Sequence, residues 1–227
     1  MSLTQAPRRV MKTKNILKKY YMQNILEAGI DEAGRGPLFG RVYVAAVILP
    51  NDDTFDHSMM KDSKKFTSKA KIREAYDYIK DHAIDYEVAY ICEKTIDDIN
   101  IRNATHRAMH NAVRNLRVKP EHLLVDGCDF TPYLDDTGDE NSFSTIAHTC
   151  IEGGDNEYSS IAAASILAKV ERDAYIEELC DQYPNLEEFY DLRNNKGYGT
   201  KKHLQGIRDR GISEWHRKTF GICKQFA

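Results

Sequence analysis

Two acidic residues, Asp31 and Glu32, lie side by side between an apolar segment and a glycine-rich turn that carries one arginine. The apolar residues at 25–30 predict a short buried strand, and the two acids are expected where it ends. Adjacent residues of a strand point to opposite faces, so both acids reach one site only if the strand twists or ends between them. Two carboxylates beside a cationic turn suit a divalent metal and a phosphate. A solvated strand end with an ordinary turn explains this segment equally well when it is taken alone.

Two further acids extend this hypothesis. Asp126 ends a second apolar strand predicted at 122–125, and Asp173 follows the buried half of a long helix. If the two strands share a sheet edge, Asp31, Glu32 and Asp126 come together, and Asp173 supplies a fourth oxygen ligand. As an alternative, each added acid has a purely structural role, Asp126 in a turn and Asp173 in an ion pair within its helix.

The types of these residues indicate which chemistry they would serve. Acids without a neighbouring His or Cys favour hard cations such as Mg²⁺ or Mn²⁺. Two such ions about 4 Å apart can activate a water and stabilise the leaving oxygen of a phosphodiester. Arg35 and the backbone N–H groups of Gly34 and Gly36 would grip the nearby phosphate backbone, since glycine allows a close approach. The combination favours metal-dependent phosphodiester chemistry over the structural alternatives.

The elements that position these residues follow from apolar periodicity. Strands are predicted at 41–49, 84–90 and 143–151, in addition to those at 25–30 and 122–125. Helices are predicted from Thr67 or Ser68 onward, at 97–116, at 159–179 and from about Lys201, with an acidic loop at 135–140 and Pro184 ending the long helix. Three antiparallel strands followed by helix-linked strands indicate an α/β fold, a mixed sheet with helices on its faces.

Composition narrows the classes of protein. The 227 residues are 41% hydrophobic with a net charge of -3 and a mean hydropathy of -0.59, which is typical of a soluble protein. There is no apolar run of the ~20 residues that span a bilayer, and the basic N-terminus lacks the apolar core of a secretion signal. We therefore expect a cytoplasmic protein. Five scattered cysteines without CxxC spacing argue against disulfides and zinc.

The C-terminal region is basic. From Lys196 onward eight cations face only two acids, which suits phosphate capture beside metal chemistry but also a merely solvated helix. Several motifs recur in order along the chain, at 29–37, 62–65, 125–127, 160–173, 196–200 and 216–220. With these motifs, the segment from about Ile25 to Phe220 resembles the ribonuclease HII family, type 2 ribonuclease H.

This resemblance implies a ribonuclease H-like mixed five-stranded sheet flanked by helices, with a C-terminal helical subdomain. The expected domains are a basic extension at 1–24, a catalytic domain at 25–190 and a basic helical subdomain at 191–227 packed on it. The implied activity is two-metal-ion endonucleolytic cleavage of RNA in RNA–DNA hybrids, and 5′ of single ribonucleotides in duplex DNA. The products would carry 5′-phosphate and 3′-hydroxyl ends. The implied partner is nucleic acid, and no association with a membrane is expected. The protein is expected to be a monomer.

The resemblance also implies roles for individual residues. The family's four metal-binding acids, which hold two Mg²⁺ or Mn²⁺ ions, match Asp31, Glu32, Asp126 and Asp173. The loop that recognises the ribonucleotide 2′-hydroxyl matches Gly34, Arg35 and Gly36, and the tyrosine that stacks on the following deoxyribose matches Tyr198. Further candidates for phosphate contact are Ser63, Lys64 and Lys169. The 2′-hydroxyl is the group that distinguishes RNA from DNA.

Departures and alternatives remain open at this point. Glu157 stands where many relatives have a lysine or a small polar residue, so we expect one phosphate contact of those relatives to be missing. Arg35 separates the chain from the ribonuclease HIII type, whose loop has threonine there. The alternatives are a hybrid ribonuclease without single-ribonucleotide selectivity, a catalytically silent nucleic-acid-binding protein of the same fold, and a nucleotide-binding α/β protein. The last lacks support, because the sequence has no GxxxxGK[ST] or GxGxxG motif.

Overall fold

A mixed five-stranded sheet lies at the centre of the protein. The computed structural model describes residues 16–136 and 143–227. The strands are β1 (Glu27–Ala33), β2 (Val42–Ile48), β3 (Asp85–Ile91), β4 (His122–Asp126), β5 (Leu134–Asp136), β6 (Phe143–Thr145) and β7 (Ala147–Ile151). The sheet has the order β3-β2-β1-β4-β7, and β5 pairs with β6 in a separate ribbon. The pairs β1–β2 and β2–β3 are antiparallel, whereas β1–β4 and β4–β7 are parallel.

Helices cover both faces of the sheet. They are α1 (Lys69–His82), α2 (Glu93–Ile99), α3 (Ile101–Asn115), α4 (Ser159–Gln182), α5 (Pro184–Tyr190), α6 (Leu192–Asn195) and α7 (Lys201–Arg210). Helix α3 packs on one face, whereas α4 and α1 pack on the other. The C-terminal half of α4, α5, α6 and α7 share a third apolar cluster with Phe39. The predicted mixed sheet flanked by helices is confirmed. In the described ranges, no helix combines the length and apolarity needed to cross a bilayer.

The sequence of β2 explains why it is the most buried strand. All seven of its residues are buried, because alternate side chains pack into two different apolar clusters. Val44 and Ala46 face α3, whereas Ala45 and Val47 face α4. Continuous apolar runs of this kind are typical of strands that are covered on both faces.

Helix α4 lies unusually close to β1 at Gly29. A Cβ atom built on Gly29 would lie 2.2 Å from the backbone carbon of Ser160 and 2.4 Å from the nitrogen of Ile161. We therefore expect Gly29→Ala to lower the free energy of unfolding by roughly 2–4 kcal/mol, since strand or helix backbone must move. Urea denaturation measures this change.

A matched control for that substitution is Gly199→Ala. Its added Cβ would meet only side-chain atoms, the nearest being Leu38 Cδ1 at 3.5 Å, which is an ordinary contact. We expect this variant to unfold within about 1 kcal/mol of the wild type. Equal stability of the two variants would contradict the close approach of α4 to β1.

Two predicted elements are each divided in the structure. The helix predicted at 97–116 is interrupted at Asn100, whose φ of 65° ends α2 and whose side chain accepts a hydrogen bond from the N–H of Asn103 to start α3. The strand predicted at 143–151 is interrupted at Ile146, because β6 pairs with β5 and only β7 joins the main sheet. Pro184 begins α5 rather than only ending α4, as a proline without an N–H can do at a first helical position.

The described part of the N-terminal extension, residues 16–24, lies against the start of α4. Lys18 donates its N–H to the carbonyl of Glu157 and accepts from the N–H of Ser159, and its Nζ lies 2.5 Å from the Glu157 carboxylate. The Tyr21 ring stacks on His122. Glu157, the departure noted from sequence, thus pairs with a cation of the extension. The basic residues Arg8, Arg9, Lys12 and Lys14 and the centre of the predicted acidic loop, 137–140, lie outside the described residues.

Candidate active site

Strand pairing brings two of the predicted acids to the same edge of the sheet. Ile30 of β1 lies opposite Val125 of β4 in the parallel register, and Asp31 and Asp126 are the next residues of the two strands. Strand β1 continues through both acids to Ala33, so the prediction that it ends at Asp31 and Glu32 is wrong. It continues because Asp31, Glu32 and Ala33 still pair with β2, which extends beyond β4 at this edge.

Burial and mutual repulsion act together on three of the acids. Asp31 is only 5% exposed, and burial, followed by the charges of Glu32 and Asp126, raises its pKa well above the usual range. The pKa of Glu32 is raised by burial and lowered in part by Arg35, whose Nη1 lies 3.3 Å from Glu32 Oε1. Burial also raises the pKa of Asp126. Ionising three neighbouring buried carboxylates costs free energy, and a bound cation would offset that cost.

Asp31 and Asp126 are held by short hydrogen bonds. Asp31 Oδ1 accepts from the N–H of Glu32 at 2.6 Å, and the Ser165 hydroxyl of α4 also bonds to Asp31. Asp126 Oδ1 accepts from the N–H of Gly154 at 2.8 Å. Hydrogen bonds from the protein itself therefore orient both carboxylates.

Asp173 reaches the same space from α4 but is engaged by a neighbour. Its Oδ2 lies 2.9 Å from Nζ of Lys169, which is the helical ion pair that the sequence left open as an alternative. A cavity of about 400 Å³ is lined by Asp31, Glu32 and Asp173. Asp126 does not line it, although its charge acts on Asp31 and Glu32.

The donor set fits a hard divalent cation. All four predicted ligands are carboxylates, and oxygen donors of this kind suit Mg²⁺ and Mn²⁺. Across the two described ranges, no three His, Cys, Asp or Glu side chains are already arranged as a metal cage. The assignment of the four acids as ligands stays a prediction.

The glycine loop, defined here as Gly34, Arg35 and Gly36, forms one wall of the cavity, and Tyr198 forms another. Gly34 has φ of 95°, and a Cβ there would lie 2.1 Å from Nε of Arg172, so this position requires glycine. The Tyr198 side chain is 51% exposed although it borders the cavity. A large exposed aromatic at the mouth of a polar cavity is suited to stacking on a nucleotide.

Two buried guanidinium groups hold the main chain of the glycine loop and of the segment that follows it. Arg217 is fully buried and donates to four main-chain carbonyls, those of Gly34, Arg35, Pro37 and Gly40, at 2.6–2.9 Å. Arg172 donates to the carbonyls of Phe39 and Arg41 at 3.2 and 3.3 Å. Burial lowers the pKa of Arg217 to about 9, which leaves it charged at neutral pH.

These carbonyl contacts determine where the loop's amide groups point. The described peptide bonds are trans, and in a trans peptide the C=O and the following N–H point in opposite directions. Because the carbonyls of Gly34 and Arg35 face Arg217, the N–H groups of Arg35 and Gly36 point away from it. Neither N–H donates to another described residue. The sequence pointed to the amides of Gly34 and Gly36, and the structure adds that of Arg35.

The remaining predicted contacts lie on the opposite side of the cavity. Ser63 is buried, and its Oγ lies 3.0 Å from Oγ of Ser165. Lys64 is the cation whose charge acts on both Asp31 and Asp126. Lys169 lines the cavity together with Ser63 and Lys64. A groove of about 630 Å³ adjoins this side and continues along the start of α1 to Lys69 and Arg73.

Sequence analysis missed several residues beside the site. Asp155 is buried and shares a hydrogen bond with Asp62, and burial, the charge of Asp62 and that of Asp126 raise the pKa of Asp155. It follows two glycines, which is a pattern typical of a turn rather than of a site. Arg172 and Arg217 were included among ordinary charged residues of a helix and of the basic tail. No local pattern marks them as buried, because their partners are distant main-chain carbonyls.

Comparisons with known proteins identify the family of the chain. The family model for Ribonuclease HII matches residues 28–223. The Ribonuclease HII of Phocaeicola vulgatus is 44% identical over 209 residues, which cover 91% of this chain and 94% of that protein.

Two solved structures share the fold. The chain resembles the ribonuclease in the PCNA:RNase HII complex from Archaeoglobus fulgidus with a TM-score of 0.67 and 26% identity, covering 87% of this chain and 96% of that one. It also resembles Bst-RNase HIII in complex with Mn²⁺, with a TM-score of 0.56 and 19% identity, covering 93% and 70%. The second likeness shows the fold alone. With the family match over nearly its whole length, the chain belongs to the ribonuclease HII family and is a metal-dependent endoribonuclease of RNA–DNA hybrids.

Proposed function

We propose that this enzyme also nicks duplex DNA on the 5′ side of a single embedded ribonucleotide, leaving 5′-phosphate and 3′-hydroxyl ends. The observation that carries the proposal is that one cavity is lined both by Asp31, Glu32 and Asp173 and by the glycine loop with Tyr198. Groups suited to phosphodiester chemistry and groups suited to recognising a ribonucleotide therefore border the same space.

The proposed ligands of two Mg²⁺ or Mn²⁺ ions are Asp31, Glu32, Asp126 and Asp173. When bound, the ions would activate water and stabilise the charge that develops on the phosphate. The chain's own contribution is to keep three carboxylates together in a buried place despite their repulsion, since the backbone and Ser165 orient Asp31 and Asp126. Lys169 lies beside Asp173 and is positioned to contact a phosphate that approaches that acid.

Recognition is assigned to the opposite wall. Arg35 and Gly36 line the cavity, and their N–H groups, which point away from Arg217, would donate to the 2′-hydroxyl or the adjoining phosphate. The half-exposed ring of Tyr198 would stack on the sugar that follows the ribonucleotide. The groove beside Ser63 and Lys169 gives the duplex a path along the start of α1. Ser63 and Lys64 are proposed to contact its phosphates.

The proposed division of the chain follows from these contacts. The sheet and α1–α4, within 25–190, would carry the acids, and the segment 191–227 would present Tyr198 and hold the glycine loop through Arg217. The protein is proposed to act as a monomer, since both walls of the cavity come from one chain.

The test is cleavage of a DNA duplex that contains one ribonucleotide, compared with a long RNA–DNA hybrid, each with Mg²⁺ or Mn²⁺. We expect metal-dependent nicking on the 5′ side of the ribonucleotide, and none with the Asp126→Asn variant, which controls for a contaminating nuclease. Cleavage of the hybrid alone would leave the family activity in place but would overturn the proposed junction activity.

Tyr198→Ala tests the assigned role of the ring. We expect the ratio of kcat/KM on the single-ribonucleotide duplex to that on the hybrid to fall about tenfold, since stacking on an aromatic ring contributes roughly 1–3 kcal/mol. Tyr198→Phe keeps the ring and should retain the ratio. An unchanged ratio in Tyr198→Ala would remove Tyr198 from the recognition site.

A further inference from the structure

Two histidines lie directly behind Tyr198 and contact each other. His203 of α7 and His216 are 0% and 1% exposed, and their Nε2 atoms lie 3.0 Å apart. The remaining nitrogen of His203, Nδ1, lies 3.0 Å from the carbonyl oxygen of Tyr198. Nδ1 of His216 lies 2.9 Å from the main-chain nitrogen of Ser213 and 2.8 Å from its hydroxyl oxygen. The four ring nitrogens are therefore all in hydrogen-bonded contact.

These contacts determine where the protons lie. The main-chain N–H of Ser213 can only donate, so Nδ1 of His216 accepts, and the proton of a neutral ring is on Nε2. That N–H donates to Nε2 of His203, which therefore carries its own proton on Nδ1 and donates it to the carbonyl of Tyr198. The two rings thus have opposite tautomers and form a directed chain from Ser213 to Tyr198.

The surroundings of the pair keep both rings neutral. Burial lowers the pKa of His203, and burial together with the charge of His203 lowers the pKa of His216 to about 3. Aromatic rings pack against the pair, with Tyr190 against both histidines and Phe39 against His216. Among the described residues, neither ring forms an ion pair with a carboxylate. A protonated ring would place two N–H groups face to face.

The same segment also holds the glycine loop. Arg217, the residue after His216, donates to the carbonyls of Gly34 and Arg35, and Trp215 accepts from the N–H of Gly40. The N–H of Leu38 donates to the carbonyl of Gly197, which precedes Tyr198. The two proposed recognition elements are thus fixed relative to each other through residues 215–217.

We propose that His203 and His216 are positioning residues. They hold the main chain of Tyr198 in the position, relative to the glycine loop, that binding of a ribonucleotide–deoxyribonucleotide step requires. The inference rests on the proposed role of Tyr198. Neither histidine lines the cavity, so neither touches substrate and each acts only through Tyr198. The 216–220 motif, which the sequence singled out without a role, thereby acquires one.

The test compares His203→Gln with His203→Asn. An asparagine amide nitrogen lies near the position of Nδ1 and can still donate to the Tyr198 carbonyl, whereas a glutamine amide lies near Nε2 and cannot. We expect His203→Gln to lower the ratio of kcat/KM on the single-ribonucleotide duplex to that on the hybrid about five- to tenfold. His203→Asn should stay within about twofold of the wild type. Equal ratios in the two variants would overturn the proposal, since a merely structural role predicts no difference.

A second measurement needs no variant. Imidazole ¹⁵N NMR of the wild-type protein at pH 7 should show His203 with its proton on Nδ1 and His216 with its proton on Nε2, both neutral. The same tautomer in both rings, or a charged ring, would contradict the directed chain of hydrogen bonds from Ser213 to Tyr198. This result does not depend on whether a variant folds.

The Tyr198→Ala and His203→Gln variants together distinguish failure of the histidines' positioning role from failure of the proposed role of Tyr198. If Tyr198→Ala leaves the selectivity ratio unchanged, the role of Tyr198 fails and the positioning role fails with it. If Tyr198→Ala lowers the ratio and His203→Gln does not, Tyr198 acts in recognition but does not depend on the histidine pair.

Discussion

Replacing Asp31 with asparagine is expected to lower the cleavage rate at least about 10³-fold with either Mg²⁺ or Mn²⁺, because loss of metal-assisted charge stabilisation costs several kcal/mol. Asparagine keeps the shape of the side chain and the oxygen that accepts from the N–H of Glu32. The substitution removes the carboxylate charge of Asp31, which is the most buried of the four predicted ligands. Single-turnover cleavage of the hybrid measures the loss.

The same substitution should make the metal-free protein more stable. The pKa of Asp31 is raised in the folded state by burial and by Glu32 and Asp126, so this carboxyl group destabilises the fold at pH values above its ordinary pKa, neutral pH included. Thermal unfolding in EDTA should therefore give a higher Tm for Asp31→Asn than for the wild type. Added Mn²⁺ should raise the wild-type Tm and have a smaller effect on the variant, since only a bound ion stabilises the folded state.

Asp81→Asn, at an exposed position of α1, is the control for the loss of one negative charge. It should leave both the rate and the effect of Mn²⁺ unchanged. If Asp31→Asn retained activity within tenfold of the wild type, or showed the full effect of Mn²⁺ on Tm, Asp31 would have no place among the metal ligands.

The second large effect is expected at Arg217, where Arg217→Met should lower the free energy of unfolding by roughly 3–5 kcal/mol. Methionine fills much of the volume but leaves four carbonyls, those of Gly34, Arg35, Pro37 and Gly40, without their donor, and the bonds to all but Arg35 are buried. Guanidinium denaturation measures the change. Because the same carbonyls set the direction of the loop amides, cleavage of the single-ribonucleotide duplex should fall as well.

Two neighbouring variants separate charge from geometry at this position. Arg217→Lys keeps the positive charge but has one nitrogen instead of a planar fork, so its stability should lie between those of the wild type and Arg217→Met. Lys218→Met removes an exposed cation from the adjacent residue and should change stability by less than about 0.5 kcal/mol. A loss below 1 kcal/mol in Arg217→Met would show that other groups or water satisfy the four carbonyls.

The part of the site that sequence predicts is the part that follows from strand geometry. Short apolar runs that lead into Asp31 and Asp126 indicate two buried strands, and parallel pairing of such strands brings the two acids that follow these runs to one edge. Helix α4 is predictable for a similar reason, because its first half is apolar on every side and so must be buried. These inferences need only local composition and the periods of strands and helices.

The part that sequence does not predict depends on distant backbone atoms. His216 and Arg217 belong to a basic tail whose cations are ordinarily solvated, but both are buried because a histidine ring and loop carbonyls lie within reach. Lys196 is likewise drawn into an ion pair with Glu177, at 2.8 Å. The break in the predicted helix at Asn100 has a local cause. An asparagine within a helical pattern is nevertheless common, so its presence alone does not predict a break.

The strand order has a consequence for biosynthesis. The central strand β1 is made early, and β2 and β3 can pair with it as soon as they emerge. The backbone of α4 that packs on Gly29 follows about 130 residues later, which at roughly 5–20 residues per second takes on the order of ten seconds. Until then the face of the sheet formed by Ala45 and Val47 lacks α4, and only α1 and the segment before it are available to cover it. The nascent chain thus presents an incompletely covered apolar surface to the ribosome and its chaperones, and chains truncated before residue 159 keep it.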